Sequence, residues 1–256
     1  MTYPDIQEEP AAEPSLTPYE IAFAATFLAA LIAWLAGVAQ AVLAGFIRFG
    51  VAPNIEALWS QQPAWNRVID SLMPDLAAIA RLGWESGGDD LGVSDPFFAG
   101  NQFVQEQLAQ TRNLLVRISD EVYRDIGNAL NKAVAEGKDV AGQAAAVRSV
   151  LDNAGVENWP ARARTVAVTE VGRAFNYGVI AHGLSVTQSL RIPVLKTWDS
   201  KDDSRVRASH DRADGQTVPI SQPFIVDGFA LMAPGDPTGP AYLVINCRCK
   251  ARLRRG

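Results

Sequence analysis

The residues best suited to chemistry lie near the carboxyl end. His210, Cys247 and Cys249 are one of the two histidines and both of the cysteines in the chain. Imidazole and thiolate are ligands for zinc, and a closed structural site wants four of them in tetrahedral array. A Cys-x-Cys pair is tighter than the usual Cys-x-x-Cys knuckle, so Asp211, Asp214 or His182 would have to complete the set. The competing reading, which stands ahead of zinc, has His210 hydrogen-bonded within the fold and the cysteines packed as small apolar groups. A further possibility is a metal-dependent hydrolase or nuclease built from His210, Asp211, Asp199, Asp202, Asp203 and Asp214. Acidic residues in turns more often cap or face solvent, which places this reading last.

These residues belong to a segment punctuated by turns. Ile192 to Trp198 is rich in β-formers, Asp199 to Asp203 is a polar turn, and Ser204 is placed to cap a short helix running through His210 to Gly215. Gln216 to Ile220, Pro223 to Val226, Phe229 to Met232 and Tyr242 to Ile245 read as short strands. Turns at Asp227-Gly228 and at Pro234 to Pro237 separate them. The expected fold class is α+β: a mainly helical amino-terminal and middle region, then a small α+β module over 191–256 with a basic tail.

The helical part reads in four stretches. Residues 1–20 carry five acidic side chains, no basic one and four prolines, and are expected to be a loose acidic tail. Ile21 to Ile47 holds no charge over twenty-seven residues, twelve of them Ala or Gly. It is long enough to cross a bilayer as a helix, and its small residues also suit close helix packing in an oligomer. Ile21, Phe27, Leu31, Trp34, Val38, Leu43 and Ile47 are its candidate partner or membrane contacts. Its acidic flank lacks the basic residues of a signal peptide, so secretion is not expected. Within 51–100, Pro63 and Pro74 predict two or three short helices, and the Gly- and Asp-rich stretch from Gly83 to Gly100 predicts a hinge.

From Asn101 to Glu136, Leu108, Leu115, Ile118, Val122, Ile126, Leu130 and Val134 repeat at helical spacing, so one long helix is expected. Gly137 and Asp139 would end it and cap its successor. Another helix begins near Pro160 and carries Glu170, for which a carboxylate tie to an arginine is the leading reading and a general base the lesser one. Residues 101–190 thus form the helical body.

Net charge also bounds function. At −5 over 256 residues the chain lacks the cationic surplus of a general nucleic-acid binder. Arg252, Arg254 and Arg255 nevertheless make a local basic end that could meet DNA or an acidic neighbour.

Several pieces recur together in order: Arg164 to Glu170, then Asn176, Lys196-Thr197-Trp198, Asp203 to His210, Asp214-Gly215, Pro234 to Pro237 and Asn246-Cys247-Arg248-Cys249. This pattern resembles the minor head protein family of tailed bacteriophages, typified by the F protein of phage Mu. The signature positions carried by the resemblance are Thr169, Glu170, Trp198, Arg207, His210, Gly215, Pro234, Asp236, Asn246, Cys247 and Cys249. The resemblance implies a virion component and no enzyme, made in the host cytoplasm and housed inside the head at the portal vertex. Its implied partners are the portal protein, scaffold or major capsid protein, and packaged DNA. It implies an oligomer around the portal that serves head assembly, DNA packaging or DNA delivery. Should 21–47 insert into the host membrane during ejection, the chain would act there as well. No cofactor is expected beyond the zinc weighed above.

Overall fold

The computed structural model describes residues 15–49, 62–153 and 159–256. The expected acidic tail therefore lies largely outside the described residues, as do 50–61. Helices dominate up to residue 190, and short antiparallel strands follow, an α+β fold as the sequence indicates. The chain forms two compact units, one built from Tyr19–Ala77 with Glu106–Val171, the other from Ala78–Gln105 with Gly172–Gly256. These boundaries cut through helices and do not follow the sequence segments.

The first unit contains α1 (Thr17–Phe49), the start of α2 (Gln62–Leu91), most of α3 (Gln102–Val116), α4 (Ile118–Ala135), α5 (Val140–Asn153) and the start of α6 (Trp159–Leu190). Along α1, Phe23, Phe27, Leu31, Trp34, Leu35, Val38 and Val42 are buried. That spacing marks one stripe of an amphipathic helix. Phe27 and Trp34 pack on Trp65, and Trp34 also meets Tyr123 edge-on at 5.7 Å. Burial raises the Tyr123 phenol to about 12.

The single helix expected over Asn101 to Glu136 is broken at Arg117. The indole N–H of Trp65 donates to the carbonyls of Leu115 and Val116, at 3.2 and 3.0 Å. Those carbonyls have found a tertiary donor in place of the next helical turn, and the chain re-enters helix one residue on. Beyond α4, Gly137 turns the chain with φ +68°, and the Asp139 carboxylate accepts from the Gly142 amide at 2.8 Å, as expected. Val134, placed in the apolar stripe by spacing, is exposed.

The second unit joins the ends of α2 and α6 to the carboxyl-terminal module. Here the sequence expectation fails most clearly. Pro74 sits inside α2, and the helix runs through Gly83, Gly87 and Gly88, where a hinge was expected. The glycines serve contact: a Cβ on Gly83 would stand 1.9 Å from the Phe175 carbonyl oxygen, and one on Gly178 would stand 1.9 Å from that of Ala80. Each helix contributes a glycine, so the α2 and α6 backbones touch. Burial on this scale replaces the flexibility that Gly otherwise brings.

In the module, β1 (Val194–Asp199) is the middle strand of an antiparallel sheet, between β2 (Thr217–Pro219) and β5 (Lys250–Arg255). Trp198 pairs with Ala251, and Thr197 with both Thr217 and Arg252. The helix α7 (Ala208–Ala213) starts four residues later than Ser204, with Arg207 at its amino cap. β3 (Phe224–Val226) and β4 (Phe229–Leu231) form a hairpin through Asp227 and Gly228, both at positive φ, as a two-residue I′ turn requires. Where a strand was expected over Tyr242 to Ile245, the chain forms a short helix, α8 (Ala241–Val244). Leu243 and Val244 are both buried, which consecutive strand residues cannot achieve on one face. The tail residues are a further correction: 250–255 are strand β5, a member of the sheet and no free basic end.

Candidate functional site

The signature residues fall along α6 and in the module it carries. Arg173, three residues past Glu170, donates from Nε to the Gly235 carbonyl at 2.8 Å. One turn on, the Asn176 side-chain amide donates to the carbonyls of Pro234 and Cys249, each at 3.1 Å, while its oxygen accepts from the Ala251 amide at 2.9 Å. Cys249 and Ala251 present these groups on the outer edge of β5, so the Asn176 amide takes the place of a neighbouring strand's peptide. Asp90 continues that edge by accepting from the Leu253 amide at 2.9 Å. An otherwise bare sheet edge is thus closed by helix side chains.

Asp236 is buried and organises its own turn. It accepts from the amide of Met232 at 2.7 Å and from the amide and hydroxyl of Thr238 at 2.9 and 2.7 Å. Gly235 holds φ +81° beside Arg173, and Gly215 holds φ +71° while its amide donates to the Trp198 carbonyl. Asn246 adopts φ +58° immediately before Cys247. Thr169 returns its hydroxyl to the Thr165 carbonyl, and Glu170 is buried.

His210, Cys247 and Cys249 do come together, as their types suggest. Nδ1 of His210 lies 3.3 Å from Cys249 Sγ and 3.7 Å from Cys247 Sγ, and all three residues are buried. The imidazole stands edge-on to Trp198 at 5.4 Å, and Trp198 stacks edge-on to Phe224 at the same distance. The two thiols are coupled. A hydrogen bond from Cys249 pulls the Cys247 thiol down, and that same bond, with burial, pushes Cys249 up. Lys201, Arg205, Val206, Arg207, Asn246 and Arg248 line a small cavity that reaches His210 and Cys249.

The suggested fourth ligands are not part of this cluster. His182 stands 3.3 Å from Asp95 and edge-on to Trp84, and burial lowers its pKa. Asp214 accepts from the Ser200 amide. Two more of the acidic residues weighed for a nuclease are similarly engaged: Asp203 grips Arg248 with both oxygens at 2.6 Å, and Asp199 accepts from Arg252 at 3.0 Å. The Arg248 bond is the main reason the Asp203 carboxyl is held far below its ordinary range.

A family model described as phage Mu protein F like protein matches residues 124–252. The chain belongs to this family. Membership supports a phage head protein and a place in the virion. A 135-residue stretch is also 27% identical to a protein of Enterococcus faecalis named NAD(+)--arginine ADP-ribosyltransferase EFV, over 53% of this chain. The alignment spans about a quarter, 26%, of that relative's own length. No solved structure matches.

The contact residues named from sequence are placed differently from expectation. Phe27, Leu31, Trp34 and Val38 line the core of their unit and are not on a free face, whereas Ile21 is 65% exposed. The side chains of Leu43 and Ile47 lie outside the described residues. Arg252 pairs with Asp199 and is half-buried, Arg255 donates to the Leu91 carbonyl while remaining exposed, and Arg254 is exposed as well. Sequence reading named Lys196 within the Lys196-Thr197-Trp198 piece but gave it no role of its own. It is 0% exposed, its Nζ donates to the Met232 carbonyl at 2.7 Å, and it lies over the Phe224 ring. Burial lowers its pKa to about 8. The alternation Val194, Lys196, Trp198 along a strand was the available signal, since it puts all three on one face.

Proposed function

We propose that this chain works by binding and not by catalysis, as a portal-associated component inside the phage head that serves assembly and DNA packaging or delivery. The observation that carries the reading is the use made of the signature polar groups. Asn176, with Arg173 beside it, commits its side chain to backbone partners that fasten the module to α6, and Asp236 spends its carboxylate on closing its own turn within the module. A constellation with this much internal hydrogen bonding supports a rigid scaffold better than a substrate site. Family membership supports the head as its place.

The surface offered to partners is the outer side of α1. Ala22, Ala25, Ala29, Ile32, Ala33 and Ala36 are exposed along it, without a charge between Ile21 and Ile47. Small residues in such a row let a second helix approach closely, which suits several copies around a portal. Co-expression with the portal protein of the same phage should give a co-purifying complex, and particles made without this chain should be defective in assembly or DNA delivery. A portal that never retains the chain, in co-expression or in heads, would sink the proposal. Incubation with NAD⁺ and an arginine-rich acceptor should release no nicotinamide.

One observation favours a second activity. Thr17–Val42 is long and apolar enough to cross a membrane. On this reading α1 leaves its unit during DNA entry and inserts into the host bilayer. Flotation of the full chain with liposomes, compared with a variant carrying Ala29→Asp and Ala33→Asp on the exposed face, separates the two. Equal flotation of both would count against insertion.

A further inference from the structure

We propose that His210 Nδ1, Cys247 Sγ and Cys249 Sγ bind one zinc ion, with a solvent molecule as the fourth ligand. The three ligand atoms lie within 4.8 Å of one another on buried side chains. Their spacing is the first argument. In a tetrahedral site with Zn–S near 2.3 Å and Zn–N near 2.0–2.1 Å, the nitrogen-to-sulfur edge is about 3.6 Å. The two observed edges, 3.3 and 3.7 Å, bracket that value.

The second argument is the sharing of one nitrogen. A ring nitrogen has a single proton or a single lone pair in the ring plane, so it makes one well-directed hydrogen bond. Here Nδ1 faces two sulfurs at once, which is the arrangement a cation between the three atoms imposes. The third argument is room for the fourth ligand. The cavity reaching His210 and Cys249 has a volume of about 20 Å³. One water needs about 10–15 Å³. No protein carboxylate or further imidazole reaches the cluster among the described residues.

The local fold explains how the site is held. α7 supplies His210, pinned by its ring contact with Trp198. The segment between the left-handed turn at Asn246 and the start of β5 supplies the cysteines, with Asn176 holding the Cys249 carbonyl. Charge also balances: two thiolates neutralise Zn²⁺, and binding displaces two thiol protons to solvent. Lys201, Arg205, Arg207 and Arg248 line the cavity, and their positive charge suits an anionic or hydroxide fourth ligand. This inference is independent of the portal proposal, since the metal would fasten α7 to β5 whatever the module binds.

The test is metal analysis of the full-length protein purified without chelator, joined to cobalt substitution. One equivalent of zinc is expected, together with a melting temperature that falls on treatment with a strong chelator. Replacing zinc with Co²⁺ should give tetrahedral d–d bands and thiolate-to-cobalt charge-transfer absorption. Cys247→Ser and Cys249→Ser should each reduce that charge-transfer intensity by about half, one of two thiolates being lost, and His210→Ala should weaken Co²⁺ binding at least tenfold. Circular dichroism on each variant identifies those that remain folded; if none does, the zinc content and chelator response of the native protein decide between site and no site. Added imidazole should shift the cobalt spectrum by replacing solvent; an unchanged spectrum would overturn the open fourth position. Substoichiometric zinc with melting indifferent to chelator would overturn the site itself.

Discussion

Replacing Asn176 with alanine tests whether the module is held by one side-chain amide acting as a strand. Asn176 is buried and makes three hydrogen bonds, to Pro234, Cys249 and Ala251. Alanine removes the partner of two buried carbonyls and one buried amide, and each orphaned group costs about 1–3 kcal/mol. Partial relaxation and water entry reduce the sum, so the expected loss is about 3–6 kcal/mol. A domain of this size has about 5–15 kcal/mol in all, so the module should sit close to unfolding. Asn176→Asp sharpens the point. It keeps the acceptor for Ala251 but turns a carboxylate oxygen toward two carbonyls, and it should destabilise at least as much. Urea unfolding followed by tryptophan fluorescence gives the magnitude, and hydrogen exchange over 248–256 gives the location. The strand-mimic account is refuted if Asn176→Ala costs under about 1 kcal/mol and leaves the Ala251 amide protected.

Lys196 predicts an unusual pH dependence. Its folded pKa, lowered to about 8 by burial, lies below the free value of 10.5. Below pH 8 the buried charge opposes folding in full, and from there to about 10.5 the unfolded chain binds more protons, so stability rises with pH. The rise attributable to this group is about 3 kcal/mol, and Lys196→Met should remove it; wild-type and variant urea midpoints that track each other from pH 7 to 10 would contradict this. Gly83→Ala should cost about 3 kcal/mol or more, because its Cβ meets the Phe175 carbonyl oxygen at 1.9 Å, and a thermal shift within a degree of wild type would count against the helix contact. Deleting 251–256 should unfold the module and not merely trim a tail, since β5 pairs with β1 along its length. Native-like near-ultraviolet dichroism in that deletion would show the strand to be dispensable.

Much of this protein was legible in its residues because the deciding effects are local or compositional. The helical cap at Gly137 and Asp139, the Asp227-Gly228 hairpin and the helical start at Trp159 follow from backbone chemistry that a few neighbours fix. His210, Cys247 and Cys249 stood out by residue type, and the fold places their side chains side by side. Tertiary structure decided the rest. Gly83 and Gly88 read as a hinge because glycine's local preference is for loops, and burial against α6 overrode it. The break at Arg117 depends on an indole fifty residues away, and the basic end became a strand because β1 offered it a ladder. Asn176 carries no periodic signal of its own, and strand alternation puts Lys196 on the buried face without naming its partner. Their roles exist only where a distant backbone edge is brought against them, which short-range pattern cannot reveal.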